Sequence, residues 1–186
     1  MRLTRWLVVP LLLLVSVVLG CSHQSGVPMG TVKVQLTDAP GVVDALHLQI
    51  VGVSAHRSGG TVESGDTTEV LLGEGWENLS SDTTSVDLMT LRNGVTSTLA
   101  VALVPSGRYT QIRLLLAPGS DVVVDGVTYP LQTPSGLQSG IKLIHGFDVP
   151  AGGEIELTLD FDAQKSVIET GAGAWMLKPT IAVSSH

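Results

Sequence analysis

Between Glu154 and Phe161 the chain alternates without a break: Ile155, Leu157, Leu159 and Phe161 are apolar, while Glu154, Glu156, Thr158 and Asp160 are polar. Successive side chains of a strand point to opposite faces, so a two-residue period buries one face and wets the other. Val32, Val34 and Leu36 repeat the pattern. Over Val43–Ala55, Leu46, Leu48 and Ile50 take one face and His47, Gln49, Val51 and Val53 the other. Over Arg108–Leu116, Ile112, Leu114 and Leu116 oppose Tyr109, Gln111 and Arg113. Thr98–Val104 is apolar on both faces, which predicts a central strand. Shorter strand candidates fall at 69–72, 76–79, 85–91, 122–124, 127–129, 141–149 and 175–183.

Turn chemistry separates these runs: Asp38-Ala39-Pro40-Gly41, Asn93-Gly94, Pro105-Ser106-Gly107, Asp125-Gly126 and Pro150-Ala151-Gly152-Gly153. Arg57–Thr68 is polar and Gly-rich, a hairpin excursion or loop, and Gln132–Gly140 is another loop. A helix fits only around Ala163–Glu169. Many short strands with almost no helix predict an all-β fold, a single antiparallel β-sandwich. No repeat of solenoid or propeller length is present.

The N-terminus differs in kind. Arg2 and Arg5 precede an apolar run from Trp6 to Leu19, of signal-peptide rather than bilayer-spanning length. It ends in Val18-Leu19-Gly20-Cys21, which resembles the bacterial lipoprotein signal. That resemblance implies cleavage after residue 20, diacylglycerol on the Cys21 thiol and acylation of the new amine, since several chains anchor where one would not. Residues 21–29 then form the lipidated cysteine and a short tether, and 30–186 one β domain. Ser22, in place of Asp, resembles the second mature residue of lipoproteins sorted to the outer membrane.

Composition narrows function by exclusion. Ten Lys and Arg against seventeen Asp and Glu give −7 over 186 residues, and removing the leader's two Arg makes the remainder more acidic. A nucleic-acid partner would need the opposite balance. With Cys21 alone, disulfide frameworks and cysteine zinc sites are excluded within the chain. The five histidines show no HxH or HExxH spacing, and there is no GxSxG elbow. The chain is therefore read as a non-enzyme.

Several motifs, in order, resemble one family. Gly30-Thr31-Val32-Lys33-Val34-Gln35-Leu36-Thr37-Asp38-Ala39-Pro40 is similar to the opening of the DUF4382 family of secreted bacterial and archaeal proteins. The likeness continues through Gly107–Leu114, Thr133–Gly136, Ser139–Lys142, Leu159–Ala163, Lys165–Val167 and Leu177–Pro179. It implies an immunoglobulin- or transthyretin-like sandwich, often lipid-anchored, in a binding or structural class rather than an enzyme class.

Three groups of side chains are candidate sites. Asp160 and Asp162 are two apart on a strand and share a face; with Asp38 or Asp44 from a neighbouring strand end they offer carboxylates to Ca²⁺ as a candidate cofactor. Arg113, Lys142 and Lys165 could instead pair with Asp160 and Asp162 in an ion-pair network, or one Asp could cap the turn at Ala163. Trp76, behind Gly73 and Gly75, is a candidate ligand platform or a plug on the core, and Trp175 a core residue. The expected function is an outer-membrane lipoprotein module that binds a glycan or an envelope or extracellular protein. The alternatives are a self-associating structural subunit and a calcium-binding sandwich. Its partners are then the lipid bilayer through Cys21 and that ligand, with no nucleic acid.

Overall fold

The alternating segment after the tether becomes β1 (Met29–Asp38), in which Val32, Val34 and Leu36 are fully buried. A computed structural model describes residues 27–38, 43–64, 67–72, 74–133 and 139–186, with the backbone alone over 60–64 and 67–72. The leader, Cys21 and most of the tether lie outside the described residues, as do the turn at 39–42 and residues 134–138. After β1 come β2 (Ala45–Arg57), β3 (Gly60–Ser64), β4 (Thr67–Leu72), β5 (Gly75–Ser80) and β6 (Thr84–Asp87). A 3₁₀ turn at Leu88–Thr90 precedes β7 (Ser97–Pro105), β8 (Gly107–Leu116), β9 (Asp121–Val124) and β10 (Val127–Gln132). The chain closes with β11 (Ile141–Val149), β12 (Glu154–Phe161), α1 (Ala163–Ser166), β13 (Val167–Glu169), β14 (Trp175–Leu177) and β15 (Ile181–Ser185).

Two sheets pack as an open β-sandwich of the immunoglobulin- or transthyretin-like kind. One has four strands in the order β15-β12-β1-β7; the other runs β11-β8-β2-β9-β10-β14-β13, with β5 and β6 also paired to β2. β3 and β4 form a separate hairpin between β2 and β5. Pairing is mostly antiparallel, but β1 and β12 run parallel, Val34 opposite Leu157 and Leu36 opposite Leu159, as do β10 and β14. The core lies between the inner faces: Val32, Val34, Leu36, Leu157, Leu159 and Phe161 from one sheet meet Leu46, Leu48, Ala55, Ile112 and Leu114 from the other. Burial of that apolar area is the main stabilising term.

Local chemistry behaves as read where it is self-contained. Asp125 and Gly126 adopt φ of 51° and 74°, the left-handed pair of a two-residue hairpin turn joining β9 to β10. The Arg57–Thr68 excursion contains most of the β3–β4 hairpin. The helix is shorter than the seven residues allowed for it: α1 is one turn, and Val167–Glu169 is strand. The 85–91 candidate splits into β6 and the 3₁₀ turn, where the Asp87 carboxylate accepts from the Met89 amide.

Three expectations need correction. Thr98–Val104 is not central: β7 lies at an edge of the four-stranded sheet, and its outward Val101 and Leu103 are 61% and 67% exposed. Two apolar faces signal burial but not lateral position, and here the outward side chains of β7 are left open by the described residues. In β2 the alternation shifts phase at register irregularities around Gly52 and Val53, so Val53 and Ala55 join Leu46, Leu48 and Ile50 in the core. In β8, Tyr109 is fully buried with Ile112 because Thr110 is skipped in the pairing with β2. An extra residue in one strand flips every side chain beyond it.

Candidate ligand-binding face

The outer face of β5, β2, β8 and β11 carries two cross-strand rows. Register places Trp76 opposite His56, His56 opposite Gln111, and Gln111 opposite Ile144. The adjacent row is Asn78, Ser54, Arg113 and Lys142. Directly opposed residues share a face with Cβ atoms about 5 Å apart, so each row is a contiguous strip. The residues between them, Ala55, Ile112 and Leu143, point the other way into the core.

Trp76 is held there rather than packed inside. The Arg113 guanidinium lies 3.9 Å from its ring centroid and His56 meets it edge-on at 5.0 Å. The indole remains 37% exposed, so the core-plug alternative does not apply. A cation over an indole is attracted by the ring quadrupole, roughly 0.5–2 kcal/mol, which fixes both groups. His56 is itself tied down, Nδ1 3.3 Å from the Thr110 hydroxyl and Nε2 3.5 Å from a Glu74 carboxylate oxygen.

Hydrogen-bonding capacity on this face is unspent. Arg113 Nε and Gln111 Oε1 are buried atoms without a hydrogen-bond partner among the described residues. Gly140 packs on the Arg113 stem: at φ 71°, a Cβ there would stand 2.7 Å from Arg113 Cγ. Lys142, opposite Arg113, is exposed and lines a cleft of about 380 Å³ with Thr133, Ser139, Ile141 and Pro179.

Of the acidic candidates, Asp38, Asp160 and Asp162 lie on or at the strand ends of the other sheet, whereas Asp44 directly precedes β2. Asp162 falls just past the end of β12 and caps α1: its Oδ1 accepts from the Lys165 amide at 3.0 Å and its Oδ2 from Lys165 Nζ at 2.6 Å. Those bonds hold the Asp162 carboxyl below the usual range and raise the Lys165 ammonium. Asp160 is exposed on the outer face, opposite Thr37 and Ala182. Asp38 is buried; its Oδ1 accepts from the Ala163 amide at 3.1 Å and its Oδ2 has no partner among the described residues. Burial pushes it up to about 6, against the Ala163 bond and Arg92, with Asp160 and Asp162 adding to the rise. Asp44 accepts from the Gly126 amide at 2.9 Å in the β9–β10 turn. Among the described residues no three or more His, Cys, Asp or Glu gather to hold a metal ion.

The five-member ion-pair network is thus corrected to one pair, Lys165 with Asp162. Arg113 and Lys142 belong to the nine-stranded sheet and the acids to the four-stranded one, a separation that sequence order does not encode. Sequence reasoning missed His56 and Gln111 beside Trp76, and the buried Arg57 with Glu77 at 3.4 Å. The one available signal was the Gly-Trp start of β5, and placing it beside His56 requires the register. Trp175 is half-buried, packed on the core and tilted against Tyr129 at 5.8 Å.

Fold and surface together define a β-sandwich domain with a solvent-facing strip of aromatic, amide and cationic side chains. The chain belongs to the DUF4382 family, a domain of unknown function, whose profile matches residues 29–179 and so runs from β1 to just short of β15. No curated protein and no solved structure matches the chain. Among the described residues no helix is long and apolar enough to cross a membrane.

Proposed function

We propose that the protein is a non-catalytic, lipid-anchored binding module of the cell envelope, and that the Trp76 face receives its ligand, a glycan or a protein. The observation that carries this reading is the part-exposed Trp76, fixed by Arg113 over its ring and by His56 edge-on. A large aromatic immobilised before binding presents contact area without a further ordering cost. The supporting test screens the full chain and Trp76→Ala against immobilised glycans and envelope extracts. Signal on at least one ligand class that Trp76→Ala abolishes, at unchanged melting temperature, supports the platform; signal indifferent to Trp76 removes it.

Anchoring rests on the Val18–Cys21 signal, and outer-membrane sorting on Ser22. Metabolic labelling with an alkynyl fatty acid should mark the wild-type chain and not Cys21→Ser. Fractionation should then place the label in the outer membrane; label in the inner membrane would refute the sorting.

The structural-subunit reading has one observation in its favour, the exposed Val101 and Leu103 on edge strand β7. Exposed edge strands template association with another chain. Concentration-dependent oligomers in detergent that Val101→Lys/Leu103→Lys disperses would favour it over the ligand platform.

A further inference from the structure

Arg113 and Lys142 are cross-strand partners on β8 and β11, so two cationic side chains spring from neighbouring positions on one sheet face. Such a pair is mutually repulsive unless an anion lies between the charges. The chain has seven more acids than bases, yet among the described residues none forms a close ion pair with either. The close ion pairs of the described residues are Lys33–Glu156, His47–Asp121, His56–Glu74, Arg57–Glu77, Arg108–Asp148 and Lys165–Asp162, and Arg113 and Lys142 appear in none. Arg113 is moreover half-buried, with Nε shielded from water and unpartnered. A guanidinium donor left in that state costs free energy which a bound anion would return. Gln111, one row away, holds a shielded carbonyl oxygen that only a donor can satisfy. Anion-binding cations, an unspent acceptor and an aromatic surface together match a ligand bearing carboxylates, hydroxyls and an apolar ring face.

We infer that the strip from Trp76 through Arg113 to Lys142 is a subsite for an acidic polysaccharide, a chain of uronate sugars. This rests on the reading of Trp76 as a ligand platform. The roles divide by chemistry: Arg113 and Lys142 meet a carboxylate, Gln111 accepts from a hydroxyl, and the open side of Trp76 stacks on a ring. From β5 to β11 there are three inter-strand spacings, about 14 Å, so an oligomer and not a single sugar fills the strip. The cleft of about 380 Å³ beside Lys142 extends the same path and falls within the size of sugar-scale sites.

The test is calorimetric titration of the full chain in detergent with hexagalacturonate and with its fully methyl-esterified form, which has the same sugars without the charge. The expected result is acid binding about tenfold or more tighter than ester, weakening as salt rises. Arg113→Gln/Lys142→Gln should erase the preference, so that acid and ester bind alike and no tighter than the wild type binds the ester, and Arg113→Lys with Lys142 intact should restore part of it. Trp76→Ala should weaken both ligands. Equal affinity for acid and ester, both lost in Trp76→Ala, would overturn the anionic subsite and leave the platform standing. Acid binding untouched by Trp76→Ala would overturn both. No binding of either hexamer overturns the subsite alone, because the glycan and extract screen tests the platform separately. Melting curves of every variant separate lost contact from lost fold.

Discussion

Replacing Asp38 with asparagine should stabilise the protein at neutral pH and do nothing at pH 4. Asp38 is 4% exposed, sits opposite Phe161 at the end of β1, and leaves Oδ2 without a partner among the described residues. Its carboxyl titrates near 6 in the fold against an ordinary value of 3.8, chiefly because burial disfavours the charged form. The folded state therefore binds this proton more tightly than the unfolded chain does. Stability from this group is fully present below pH 3.8, falls as pH rises toward 6, and is flat above. A shift of about two units corresponds to about 3 kcal/mol at most, since each unit is worth about 1.4 kcal/mol. Asparagine keeps the Oδ1 acceptor for the Ala163 amide and removes the charge. In a domain of this size about 3 kcal/mol is roughly 6–12 °C in Tm. The assay is thermal melting of wild type and Asp38→Asn from pH 4 to 8. Working with the difference between the two cancels Asp162, whose lowered carboxyl tilts stability the other way, toward loss as pH falls. A pH-independent difference, or a wild type more stable than the variant at pH 7.5, would refute the reasoning.

Three further substitutions test other parts of the structure. Tyr109→Phe removes the hydroxyl that donates to the Pro105 carbonyl at 2.8 Å, a strand-to-strand corner clasp, and should cost about 1 kcal/mol in urea unfolding. Because burial pushes the Tyr109 hydroxyl up to about 12, that difference should stay constant to pH 9. Phe161→Ala empties a fully buried site between the sheets and should cost about 3–5 kcal/mol, read as a lower urea midpoint with near-unchanged slope. Gly140→Ala places a methyl group 2.7 Å from Arg113 Cγ at φ 71°, which should cost about 1–3 kcal/mol. It should also red-shift Trp76 fluorescence as Arg113 moves off the ring; unchanged emission would show that Gly140 does not position the stack.

The strands, their inner faces and the tight turns were legible in the chain because each is written locally. Ile155, Leu157, Leu159 and Phe161 had one side to bury, and Asp125-Gly126 accommodates the positive φ of its turn wherever it occurs. Trp76 was legible as a candidate platform, but not the groups that hold it. What only the tertiary structure decided is which strands are neighbours and where alternation slips. Backbone hydrogen bonds are nearly the same for every residue, so a strand's own sequence says little about its partner. That is why Arg113 and Lys142 could be imagined beside Asp160 and Asp162, when strand order puts them on separate sheets. The irregularities near Gly52 and Thr110 likewise arise from fitting β2 against β8 and β5, and they turn Val53 and Tyr109 inward against the simple count. Burial of Asp38 and exposure of β7 belong to the same category, since both depend on what the rest of the chain places, or leaves unplaced, on top of them.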